Sequence, residues 1–145
     1  MDIEHVIAAI MVCTLLVVIV LALSRASKTR LTPEERMTIN GPGNYAIDVV
    51  GESFHQKELE QLDGEGAFGE DRECQAELLL DDKNKYDKNA VAVYIAGVLV
   101  GHLSRQIAPV FRRELQKHGA VRAFVRAKVF GGTKKKPNFG IWLDL

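Results

Sequence analysis

Two cysteines in 145 residues are too few for a disulfide framework. Cys13 lies in an apolar run and Cys74 in a strand pattern, so they are not expected to pair, as suits a reducing cytoplasm. His5, His55 and His118 are scattered without the spacing of metal ligands. There is no phosphate-cradling glycine loop, because Gly131-Gly132 falls between two strand patterns and not between a strand and a helix. Ser53 lacks the flanking glycines of a nucleophile elbow, so a Ser53, His102 and Asp87 triad would stand on residue types alone. Asp81 to Val93 opens like a calcium loop but has neither the central glycine nor the closing glutamate. The expectation is a protein that is not an enzyme and takes no metal or cofactor.

Charge is missing from one long stretch. Val6 to Leu23 contains no charged residue, glycine or proline. At ~1.5 Å rise per residue, such a helix covers most of a ~30 Å hydrocarbon core. A cleaved signal peptide is the rival reading, since Ala22-Leu23-Ser24 loosely resembles a cleavage site. The flanks favour a retained anchor: Asp2 and Glu4 precede the run, and Arg25, Lys28 and Arg30 follow it. A buried core helix this apolar all round would need a larger protein. The expectation is therefore a transmembrane anchor at 1–24, contacting the membrane through 6–24. The N-terminus would lie outside and the C-terminal domain on the cytoplasmic side of an inner, cell membrane. A linker at 25–43 follows, with Pro33 and Gly41-Pro42-Gly43 as breakers and Thr32-Pro33-Glu34-Glu35 able to start a short helix. That leaves 44–145 for one small domain.

Net charge is formally zero, yet its distribution is uneven. Ile47 to Ala90 holds 13 acidic residues against 5 basic, and Val91 to Leu145 holds 10 basic against 2 acidic. A basic face for nucleic acid is one reading. The other is a neutral surface on which the two halves pair across a sheet.

Within the domain the apolar pattern is mostly of period two. Tyr45–Val50 alternates, Glu52–Leu62 reads as a short helix ended by Asp63-Gly64, and Cys74–Leu80 is a strand in which Leu79 suggests burial on both sides. Ala90–Ile95 and Val98–Leu103 flank Ala96-Gly97 as a tight hairpin. Ile107, Val110, Phe111 and Leu115 have helical spacing, with Ser104 as a possible cap, Pro109 in the first turn and Gly119 at the end. Val121–Phe130 alternates strongly, its aliphatic face opposed by Arg122, Phe124, Arg126, Lys128 and Phe130. A hairpin tip bearing Lys134-Lys135-Lys136 leads to the last strand, Phe139–Leu145. The fold expected is mainly β: a small OB-like or bent barrel of about six strands with two short helices.

Val49-Val50-Gly51-Glu52-Ser53-Phe54, the stretch Asp81–Val93 containing Tyr86-Asp87-Lys88-Asn89-Ala90-Val91, and Val100-Gly101-His102-Leu103 together resemble the HIRAN domain. The likeness covers roughly Tyr45 to Leu145. Members of that family are small OB-like β domains, alone or attached to helicase and nuclease modules, and the helicase-associated ones bind the 3′ end of single-stranded DNA. The resemblance implies the same ligand here and a helicase or nuclease partner; DNA repair in a bacterium is the setting expected, with a phage as the alternative host. Carried over by position, Tyr86 and Phe54 would stack on terminal bases and Asp87 would accept from the 3′ hydroxyl. Asn84 and His102 would line the pocket, Arg105 would meet a phosphate, and Phe130 would close the pocket. Ser53 and Phe54 stand where DNA-binding members can carry arginine and tyrosine, so a charge and a hydroxyl are missing. Arg122, Arg126 and Lys128 would form a secondary basic face in compensation, while Asp81 and Asp82 count against phosphate.

Each of these residues has a plainer role open to it. Asp87 and Asn89 could bond backbone N–H groups to shape a loop, His102 could be structural, and Lys134–Lys136 a solvated tip, a phosphate clamp or a contact with lipid headgroups. Two functions stay open: a membrane-anchored DNA-end binding module, and a membrane-tethered protein-interaction adaptor that does not bind DNA.

Overall fold

The computed structural model describes residues 36–145. The expected anchor at 1–24, the first part of the linker, the Thr32–Glu35 helix start and Cys13 lie outside the described residues. No described helix is long and apolar enough to cross a membrane.

In chain order the elements are β1 (Arg36–Thr38), β2 (Ile47–Asp48), a 3-10 turn (Glu52–His55) running into α1 (Gln56–Gly64), β3 (Glu73–Leu80), β4 (Val91–Ile95), β5 (Val98–His102), α2 (Ala108–Lys117), β6 (Arg122–Phe130) and β7 (Gly140–Asp144). Strands β2 to β7 form one curled antiparallel sheet in the order β2-β7-β6-β3-β4-β5, a half-barrel with two short helices. Each of the six expected strands and both helices is present, although the first strand is shorter than Tyr45–Val50 and its bridge at Val50 stands apart.

Alternation decides which side of each strand is buried. On β6, Ala123, Val125, Ala127 and Val129 are at most 2% exposed, while Arg122, Phe124, Arg126, Lys128 and Phe130 point outward. Leu78 of β3, Val91, Val93 and Ile95 of β4, and Ile141 and Leu143 of β7 complete the inner face. Leu59 and Leu62 of α1 and Ala108, Phe111 and Leu115 of α2 belong to the same core. At ~1.5–3 kcal/mol for each large apolar side chain fully buried, this core is the main favourable term in folding.

Local chemistry sets the connections. Ala96 and Gly97 both have positive φ (49° and 80°), the two-residue turn whose twist suits a hairpin. Pro109 lies in the first turn of α2, but no side chain caps that helix; the Ser104 carbonyl accepts from the N–H groups of Ile107 and Ala108 instead. Gln56 pins α1 to the β6–β7 hairpin: its Nε2 donates to Phe139 O at 3.0 Å, and its Oε1 accepts from the Phe139 N–H at 2.7 Å.

The expected linker at 25–43 is structured in its second part. Arg36–Thr38 pairs in parallel with Arg122–Phe124, beside the stretch of β6 that β7 does not reach. Gly41-Pro42-Gly43 is also docked, because the Gly43 N–H donates to Asp144 Oδ1 at 2.6 Å. Asp144 is fully buried, and its other oxygen meets Arg126 at 2.5 Å. Three residues are too short a strand to show alternation, and glycine and proline read as breakers whether or not the turn they make is packed.

Candidate functional site

The half-barrel closes on itself at one point. Val50 and His102 exchange backbone hydrogen bonds, each 2.9 Å, linking the chain beyond β2 to the end of β5. A Cβ at Gly101 would stand 2.5 Å from Val49 Cγ1 and 2.7 Å from Val50 O, so this approach requires glycine. Val49-Val50-Gly51 and Val100-Gly101-His102, 51 residues apart in sequence, are thus two sides of one seam.

Ser53 and Phe54 follow the seam directly, in the 3-10 turn after Gly51. Both are exposed, Phe54 at 86%. On the other side of His102 lies the loop Asp81–Asn89. Asn84 organises it: Oδ1 accepts from the N–H groups of Tyr86 (2.9 Å) and Asp87 (3.0 Å), and Nδ2 donates to Asp81 Oδ2 at 2.9 Å. Asp87 Oδ1 accepts from the Asn89 N–H at 2.8 Å. With its backbone turned this way, Tyr86 is left 88% exposed. The plainer, loop-shaping role open to Asp87 is therefore filled, with Asn84 sharing it, and Asp87 Oδ2 is left facing Arg105.

Three side chains from the basic half, two arginines and His102, hold this loop. His102 Nε2 lies 3.7 Å from Asp81 Oδ2, Arg105 Nε 3.9 Å from Asp87 Oδ2, and Arg112 pairs with Asp82 while donating to Ala90 O at 3.0 Å. Asn84, Tyr86, Asp87, His102 and Arg105 thus belong to one connected constellation. Of Asp81 and Asp82, expected to count against phosphate, Asp82 is paired with the Arg112 guanidinium and Asp81 lies beside the His102 ring. The Asp81 contact was not legible locally, because it depends on His102, 21 residues away. His102 faces Asp81 and Asp87 faces Arg105, so the Ser53, His102 and Asp87 triad has no His–Asp pair among the described residues.

Phe130 stands further off. Ile47 and Asp48 oppose Leu143 and Trp142, and the Val49 N–H donates to Ile141 O. Phe130 of β6 pairs with Gly140 of β7, and from β6 the sheet passes through β7 and the chain after β2 to His102 of β5, three strand spacings or on the order of 14 Å. Phe130 is 46% exposed and meets Trp142 edge to face, with ring centroids 6.4 Å apart.

The cations of β6 are not a free basic face. Arg122 lies 2.5 Å from Glu77, Arg126 2.5 Å from Asp144 and Lys128 3.8 Å from Glu73. Asp144 holds the Arg126 guanidinium above its ordinary range, chiefly by hydrogen bonding and then by charge. Two of these pairs, Arg122–Glu77 and Lys128–Glu73, join the basic and acidic halves across the sheet, whereas Arg126 and Asp144 both belong to the basic half. In contrast, Lys134, Lys135 and Lys136 have no carboxylate within ion-pair distance among the described residues.

Two aromatics escaped the sequence reading. Trp142, the chain's one tryptophan, and Tyr45 line an open groove of about 550 Å³ together with Asn44, Lys128, Phe130 and Lys136. The alternation of Ile141, Trp142 and Leu143 was the signal for an outward Trp142. Among the described residues no cluster of three His, Cys, Asp or Glu side chains could hold a metal. No family model, curated protein or solved structure matches the chain.

Proposed function

We propose that the chain is a membrane-anchored, HIRAN-like module that binds the 3′ end of single-stranded DNA at the seam between Val50 and His102. The observation that carries the reading is the pairing of two almost fully exposed aromatics, Phe54 and Tyr86, with a loop held rigid around Asp87. Exposed aromatic rings have no folding reason to be there, and stacking a base on each contributes ~1–3 kcal/mol irrespective of sequence. Asp87 Oδ2 accepts a hydrogen bond from a terminal hydroxyl and repels a terminal phosphate. Arg105, whose side chain is 79% exposed and only loosely paired, swings to the next backbone phosphate at little cost. Asn84 and His102 hold the loop that presents these groups, and Phe130 bounds the site from β6. The anchor keeps the reader on the cytoplasmic side of the cell membrane, where a helicase or nuclease partner would act on the same end.

The test is fluorescence anisotropy of the 145-residue chain with labelled single strands ending in a 3′ hydroxyl or a 3′ phosphate. Tyr86→Ala is expected to weaken binding by about tenfold or more. Asp87→Asn keeps the acceptor for the Asn89 N–H and removes the charge, so it is expected to abolish the preference for the hydroxyl. Equal binding of both ends by the unaltered chain overturns the end-binding reading.

A protein-interaction adaptor is the second reading, favoured by the pairing of every β6 cation with a carboxylate. Salt separates the two. A strand held through two or three phosphates loses affinity with a log–log slope of about −1.4 to −2.1, whereas an apolar protein interface responds little.

A further inference from the structure

We infer that the groove between Tyr45, Phe130 and Trp142 is a second single-strand subsite, receiving nucleotides on the 5′ side of the terminal pair. The inference rests on the end-binding reading for its direction, and on the groove itself for its chemistry. Three aromatic side chains and an amide, Asn44, surround about 550 Å³ of open space. Trp142 and Phe130 are 40% and 46% exposed, an unusual outlay of large apolar surface on a domain whose inner face is fully covered. Their edge-to-face packing holds both rings in place, leaving ring faces free for a stacked base.

Cations border the same space. Lys128 Nζ lies 5.8 Å from the centre of the Tyr45 ring and is held loosely by Glu73 at 3.8 Å. Lys136 lines the groove from the hairpin tip, where Thr133 accepts from the Lys136 N–H at 3.1 Å and orders the turn that carries Lys134 and Lys135. Glu73 and Asp48, the latter opposite Trp142 across β2 and β7, are the carboxylates at the rim. The groove's own lining thus holds two lysines and no carboxylate, matching a phosphate backbone. Trp142 sits on β7, the strand paired with β2 beside the seam, so a DNA strand that leaves the seam across β2 and β7 enters the groove.

Because Trp142 is the only tryptophan, its fluorescence reports the groove directly. The full chain is titrated with oligothymidylates of three and twelve nucleotides, each ending in a 3′ hydroxyl or a 3′ phosphate. The expected result is quenching of Trp142 by the twelve-nucleotide strand and at least tenfold tighter binding of it than of the trinucleotide. Replacing Lys134, Lys135 and Lys136 together by alanine removes most of that advantage while leaving the trinucleotide affinity unchanged. Equal affinities for the two lengths, with no quenching, overturn the groove and leave the end pocket standing. Quenching by the long strand regardless of its 3′ group upholds the groove and overturns the end pocket. No binding of any oligonucleotide overturns both.

Discussion

Val50 and His102 are joined by two backbone hydrogen bonds of 2.9 Å, and this single pair brings the two edges of the sheet together. The seam has no side-chain reinforcement of its own at Gly101, which is buried against Val49 and Val50. Gly101→Ala is therefore expected to cost ~1–3 kcal/mol by overpacking. The thermal midpoint should fall by several degrees, followed by circular dichroism. An unchanged midpoint would mean that the seam opens without cost.

Asp144 is the one fully buried charge in the described core, and its oxygens serve Arg126 and the Gly43 N–H. Asp144→Ala is expected to lose about 2–3 kcal/mol, the worth of charge-assisted bonds left unmade. Arg126→Met should destabilise the chain as well. A role for Arg126 purely in nucleic-acid binding would instead leave urea denaturation unmoved.

Asn84→Ala removes the acceptor shared by the N–H groups of Tyr86 and Asp87. Hydrogen exchange at those two amides is expected to speed up by about tenfold or more, in line with ~1–2 kcal/mol of local stability. Tyr86→Ala, which alters only an exposed ring, should leave exchange there unchanged. Together they separate the loop's shape from the surface it presents.

Burial pushes the Cys74 thiol up to about 11. In the unfolded chain the thiol ionises near ~8.5. Keeping it neutral in the fold therefore stabilises the protein fully below about 8.5, and that contribution is lost as pH rises towards 11. In a Cys13→Ser background, iodoacetamide should modify Cys74 slowly at neutral pH, with a midpoint close to 11. Rapid alkylation at pH 7 would contradict its burial.

The strong period-two segments were readable without any tertiary information. In β6 each side chain's face follows from the pleat alone, and Ala96-Gly97 sets its hairpin through local backbone preference. The motif residues around Tyr86 were equally visible, since they lie within a dozen positions of one another. By contrast, Arg36–Thr38 looked like linker because its partner among the described residues, β6, is more than 80 residues away.

The cations of β6 show where local reading ends. Arg122, Arg126 and Lys128 plainly share one face, yet whether that face is free depends on what lies opposite. Glu77, Asp144 and Glu73 neutralise it because β3 and β7 arrive in a particular register. The seam at His102, the loop held by Arg112 and the groove beneath Trp142 follow the same rule. Composition and alternation determined which residues turn inward and which turn outward, since that depends on neighbours along the chain. Only the tertiary structure decided which outward charges cancel and which aromatics remain uncovered, because coulombic and packing energies depend on distances between segments that the chain separates by tens of residues.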